Sequence, residues 1–173
     1  SEQADEYERY GNDFGDAIVD VLVAAEELSA RPAPADGEEA APVPPQLTAA
    51  LSYFEKYTSR ADAKYLWLEL GRARLVAGDK DGGAAALKTF LSKLDLDEGG
   101  EGRLSAHMEL ANLADARGDT AAALAELEAA AAALDEDPRP YLALGQYLRR
   151  KGSPTEAIEI LDAAVGVMGE SRP

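Results

Sequence analysis

The sequence predicts an all-α protein of about eight helices. Three observations carry that prediction. Alanine is the commonest residue, about a fifth of the chain, and other strong helix formers dominate the rest. Apolar residues recur at spacings of three and four over most of the length. No segment of roughly four to eight residues alternates in the β-branched manner of a strand.

Taken in order, residues 1–12, SEQADEYERYGN, are acidic and weakly patterned, and are expected to form a tail leading to an N-cap at Asn12 or Asp13. A helix is predicted over 14–30, where Phe14, Ala17, Ile18, Val21, Leu22, Ala25 and Leu28 draw one apolar stripe. Val19, Val23 and Ala24 widen it, which predicts cover on two sides. Residues 31–45, RPAPADGEEAAPVPP, hold five prolines and no helical period, so a Pro-rich loop is expected there. The period returns from Gln46 to Tyr57. Six further helices are placed near 62–77, 80–94, 103–117, 120–134, 138–151 and 154–168, separated by short turns marked by Gly, Asp or Pro. Residues 169–173 remain as a C-terminal tail, and 13–168 is expected to be one domain.

Composition excludes several classes of function. Asp and Glu number 33 against 17 Lys and Arg, a net charge of −16, so a nucleic-acid backbone or an anionic membrane surface is a poor ligand. There is no Cys and one His, which removes thiolate chemistry and most imidazole-dependent catalysis and transition-metal binding. No cofactor and no metal are expected. DLDEGGEG at 95–102 has Asp95, Asp97 and Gly100 at calcium-loop spacing, but Gly99 and Ala106 stand where oxygen ligands are required. GDKDGG at 78–83 follows no strand and lacks the Gly-Lys-Ser/Thr of a phosphate cradle. His107 reads as a half-buried packing residue, and the carboxylates form no paired, desolvated arrangement, so no enzyme activity is expected. The longest apolar run, Ala129–Leu134, is too short to insert in a membrane. A cytoplasmic location is expected, or a periplasmic one if the chain is the soluble piece of an anchored precursor.

Aligning the turns reveals an internal repeat. Gly78-Asp79, Gly118-Asp119 and Gly152-Ser153 each mark a turn inside a hairpin. Seven residues earlier stand Gly71, Ala111 and Gly145, preceded by Leu70, Leu110 and Leu144; five residues later stand Gly83, Ala123 and Ala157, followed by Leu87, Leu127 and Leu161. The offset is 34 residues, with six more between the first and second copies. Small residues at both positions let two helix backbones approach where they cross, and the leucines fill the seam. The copies span 62–95, 103–136 and 138–168, with an irregular first pair at 13–61.

This pattern resembles the tetratricopeptide repeat. WLELGRARLVAGD carries Trp67, Leu70, Gly71 and Gly78, and YLALGQYLRRKG carries Tyr141, Leu144, Gly145 and Gly152, followed by Ala157 and Ala164. The middle copy departs from the pattern with His107 in the aromatic place, and the first pair has a long loop instead of a tight turn. The resemblance implies an α-solenoid of antiparallel hairpins in a right-handed superhelix, acting as a non-enzymatic protein-interaction scaffold. Its concave groove would take an extended peptide or protein segment. Carrying the family's groove positions onto this chain gives an apolar row of Leu68, Met108 and Leu142, a polar row of Arg72, Asn112 and Gln146, and the basic residues Arg139 and Arg149; Tyr65, Leu75, Ser105 and Asp115 fall at the remaining places. A basic groove on an acidic body favours an acidic or C-terminal peptide. Asn112 and Arg139 match the carboxylate clamp of chaperone-binding relatives, but Arg72 and Ala143 depart from it.

Two alternatives accompany this reading. Ile158, Leu161, Val165 and Met168 leave an apolar face on the last helix, which predicts a self-associating module such as a homodimer through that helix. The chain could also be the soluble part of a bacterial envelope protein that assists secretion or assembly.

Overall fold

The structure is a computed structural model that describes residues 2–31, 42–58, 64–95, 98 and 100–170. The described residues form eight helices and no strand: α1 (Glu2–Ala30), α2 (Pro45–Tyr57), α3 (Lys64–Val76), α4 (Lys80–Ser92), α5 (Gly100–Ala116), α6 (Thr120–Ala133), α7 (Pro138–Lys151) and α8 (Pro154–Glu170). Their contacts fall into two compact units, Ser1–Lys93 and Leu94–Pro173. The division lies beside the place where the repeat offset grows by six residues.

In the first unit α3 packs on α4, α1 on α2, and α3 also meets α1 and α2. The tight turn at Gly78 shows how the sequence closes a hairpin. Gly78 has φ +86°, and the Asp79 amide donates back to the Arg74 carbonyl at 2.9 Å, which ends α3 in a left-handed residue. The Asp79 carboxylate then accepts from the Gly82 amide and caps α4. Beyond the turn the helices cross at two glycines. A Cβ on Gly71 would lie 2.8 Å from Leu87 Cγ and 3.3 Å from the Gly83 carbonyl oxygen. A Cβ on Gly83 would lie 2.5 Å from Leu75 and 3.1 Å from the Gly71 carbonyl oxygen. The predicted seam leucine, Leu87, is fully buried.

The irregular first pair closes as a hairpin too, although residues 32–41 of its Pro-rich loop lie outside the described residues. Phe14 meets Phe54 edge to face at 6.3 Å, Gln46 donates to Glu27 at 3.0 Å, and Arg31 donates to the Pro42 carbonyl at 2.8 Å. Ala17, Val21, Ala24, Leu47, Ala50, Phe54, Leu66 and Leu70 form one core.

Two expectations for α1 need correcting. The helix begins at Glu2 and takes in the expected tail, because residues 2–12 are rich in Glu and other helix formers and contain no proline to stop a helix. Among the described residues cover on two sides does not occur either: Val19, Leu22 and Val23 are exposed. Only the side carrying Ala17, Val21 and Ala24 faces other helices of its unit.

In the second unit α5 packs on α6, α6 on α7, and α7 on α8. Gly118 and Gly152 repeat the left-handed turn, with Asp119 donating to the Ala114 carbonyl and Ser153 to the Leu148 carbonyl. Gly145 lies against Leu161 as Gly71 lies against Leu87. The core holds Ala111, Ala123, Leu127, Leu144, Tyr147, Leu148 and Ala157.

Candidate functional site

Each unit presents its share of the candidate groove residues, and the two shares differ in chemistry. In the first unit Leu68 is only 4% exposed. Helix α3 buries Leu66, Leu70 and Ala73 on one side and Leu68 and Gly71 on the other, so Leu68 is a packing residue and offers nothing to a ligand. Arg72 donates to Glu69 at 2.8 Å. Burial pushes the Glu69 carboxyl up, opposed by the Arg72 guanidinium beside it, so Arg72 serves to balance a half-buried charge. Tyr65 is exposed, but its ring lies 5.5 Å from that of Phe90. Leu75 fills the space over Gly83.

The second unit keeps more of the expected face open. Met108 is half-buried and packs against the core, Leu142 is half-buried, and Asn112, Gln146 and Arg149 are exposed. Arg139, Leu142, Gln146, Arg149 and Arg150 lie on one side of α7 by helical spacing. Arg139 is committed at the near end of this stripe. It donates to Asp137 and to Glu101, which hold its guanidinium firmly protonated, and it in turn holds the Asp137 carboxyl low.

Helices α5 and α7 are joined by a polar cluster whose partners the sequence did not reveal. The Asp115 carboxylate accepts from Lys151 Nζ at 2.6 Å and from the Tyr147 hydroxyl at 2.9 Å, with Arg150 at 3.8 Å. Lys151, then Tyr147, hold the Asp115 carboxyl below its usual range, and Asp115 raises the Lys151 ammonium in return. Arg150 and Lys151 also sit over the Tyr147 ring, 5.2 and 5.3 Å from its centre. The sequence signal for this cluster was Asp115 at a groove place, followed in the next copy by Tyr147 and Lys151 four apart.

Helix α7 therefore carries four basic and no acidic residues in a chain of net charge −16. One carboxylate, Asp115, offsets part of the cluster Arg149-Arg150-Lys151. Among the described residues Arg149 has no carboxylate within bonding distance. Such a face can donate hydrogen bonds from the amides of Asn112 and Gln146 and ion pairs from Arg149 and Arg150.

Two further polar residues are structural. His107 is buried, and its Nδ1–H donates to Glu126 of α6 at 2.9 Å, so the middle copy replaces an aromatic contact with a polar one. Buried Arg103 donates to the carbonyls of Asp95 at 2.6 Å and Glu98 at 3.2 Å. The guanidinium thus ties two carbonyls of the acidic loop to the start of α5; Asp97 and Gly99 lie outside the described residues. Among the described residues no three metal-ligating side chains converge, and no helix is long and apolar enough to cross a membrane.

The tetratricopeptide repeat family model matches residues 108–173, from the middle of α5 to the end of the chain. No curated protein matches this sequence. Among solved structures, MamA resembles it at 17% identity and a TM-score of 0.58, covering 73% of this chain and 71% of that one. A second MamA structure gives 19% identity and 0.55, covering 73% of this chain and 66% of that one. The kinesin light chain TPR-like repeats of Podosopora anserina give 19% and 0.54, covering 73% and 69%. At these identities the likeness concerns the fold, a series of helical hairpins like those of tetratricopeptide repeats.

Proposed function

From this repeat fold we propose that the chain is a non-enzymatic protein-interaction scaffold, and that its ligand face in the second unit is the side of α5 and α7 carrying Asn112, Leu142, Gln146, Arg149 and Arg150. The ligand is an extended acidic segment or a free C-terminal carboxylate. One observation carries the reading: exposed Arg149 and Arg150 share a side of α7 with the exposed amide of Gln146, on a helix without a single acidic residue, while the chain as a whole is strongly acidic. Leu68 is left out because it is buried, and Arg72 and Arg139 because each donates to a carboxylate at 2.8 Å or less, whereas Arg150 stays 3.8 Å from Asp115 and exposed.

The test is fluorescence anisotropy at low salt with a labelled acidic peptide, prepared with free and with amidated C-termini. Arg149→Ala with Arg150→Ala should weaken binding about tenfold or more, since charge-assisted contacts contribute roughly 1.5–3 kcal/mol each before solvent screening. Arg72→Ala should leave affinity alone and lower stability. Equal affinity for the double variant and the wild type would refute the assignment.

A further inference from the structure

Helix α8 leaves an apolar stripe uncovered, and its spacing and charge specify what fits it. Ile158, Leu161, Val165 and Met168 follow at intervals of three, four and three. On a 3.6-residue helix this draws a narrow line along one side, the repeat with which two helices interlock side chains at a shallow crossing angle. Leu161 spends part of its surface on Gly145, whereas Ile158 and Val165 are each 61% exposed and Met168 43%. Ala157 and Ala164, on the side that meets the rest of the unit, are buried.

The open border of the stripe is acidic. Asp162 is exposed directly beside it and Glu159 is exposed a step further round the same side, while Ala157 and Ala164 form the buried border, and α8 contains no Lys or Arg. A second copy of α8 would set Asp162 and Glu159 against the same carboxylates, within a pair already carrying −16 on each chain. Residues bordering a two-helix seam decide partner choice through their charge, and these reject their own kind. We propose that the α8 stripe docks an amphipathic helix of a protein partner whose apolar seam is bordered by Lys or Arg. This surface is separate from the α5/α7 face and takes a ligand of the opposite charge.

Two synthetic peptides of three heptads with the same leucine seam, one bordered by Lys and one by Glu, would be titrated by anisotropy against the full chain at low salt. The Lys-bordered peptide is expected to bind, and the Glu-bordered one at least tenfold more weakly. Val165→Asp should weaken the Lys-bordered peptide at least tenfold, and Asp162→Lys with Glu159→Lys should reverse the preference. General attraction of a basic peptide to an acidic chain gives the opposite result for Val165→Asp, which adds a negative charge. All three positions are exposed, so circular dichroism should show unchanged helix content. Binding of neither peptide, equal binding of both, or undiminished binding to Val165→Asp would each overturn the proposal. So would a dimer of the chain alone, seen by sedimentation and abolished by Val165→Asp.

Discussion

Replacing Gly71 by Ala in the α3–α4 crossing should destabilise the first unit, although the same substitution in an open helix stabilises. Gly15 supplies the control: it lies inside α1, and a Cβ there meets nothing within 4 Å. Gly→Ala in a helix interior gains about 1 kcal/mol from backbone entropy and screening of the helix hydrogen bonds, so Gly15→Ala should be more stable by about that amount. Gly71→Ala makes the same gain, but its Cβ would sit 2.8 Å from two atoms of Leu87 and 3.3 Å from the Gly83 carbonyl oxygen. Leu87 is fully buried and cannot turn outward, so the helices must separate. Overpacking of this kind costs roughly 1–3 kcal/mol, and the two variants should differ by about that span with Gly71→Ala the weaker. The assay is urea unfolding followed by fluorescence of Trp67, the single tryptophan, which lies in α3 of the same unit. If Gly71→Ala gains as much as Gly15→Ala, the close-approach argument for the repeat's small positions fails.

Two further outcomes follow from the second unit. The carboxyls of Asp115 and Asp137 lie below their usual range when folded, held by Lys151 and Tyr147 and by Arg139 respectively. Their contribution is complete above the unfolded value of about 3.9 and is lost as pH falls through the depressed folded values. Thermal melts in that acid range should therefore drop with falling pH, and Asp115→Asn should make the curve shallower; an unchanged slope would show that the cluster does not couple to folding. Arg103→Ala removes the donors that hold the Asp95 and Glu98 carbonyls, at a cost of about 1–3 kcal/mol. Amide exchange around Asp95, Glu98 and the start of α5 should quicken first, and uniform protection there would contradict the assigned role.

Much of the fold was legible because its determinants are local. The three-and-four spacing placed seven of the eight helices within a few residues of their ends, and the turn glycines marked the left-handed residues at 78, 118 and 152. The small residues at 71, 83 and 145 revealed the helix crossings for the same reason. The reading failed at the start of α1, where weak apolar patterning concealed good helix propensity, and at Val19, Leu22 and Val23, since a broad stripe does not say how many neighbours arrive to cover it.

The candidate face was less legible. Repeat positions located Asn112, Gln146 and Arg149 on exposed surface, but could not show that Leu68 is enclosed, or that Arg139 is shared between Asp137 and Glu101. The sequence by itself determined the helices and turns of a helical-hairpin repeat, which depend on neighbours within one or two helical turns, and an acidic charge, which is a sum over the composition. Only the tertiary structure decided which charges stay available. That depends on contacts between residues far apart in the chain, such as Tyr147 with Asp115 and His107 with Glu126, where a few ångströms separate a paired charge from a free one.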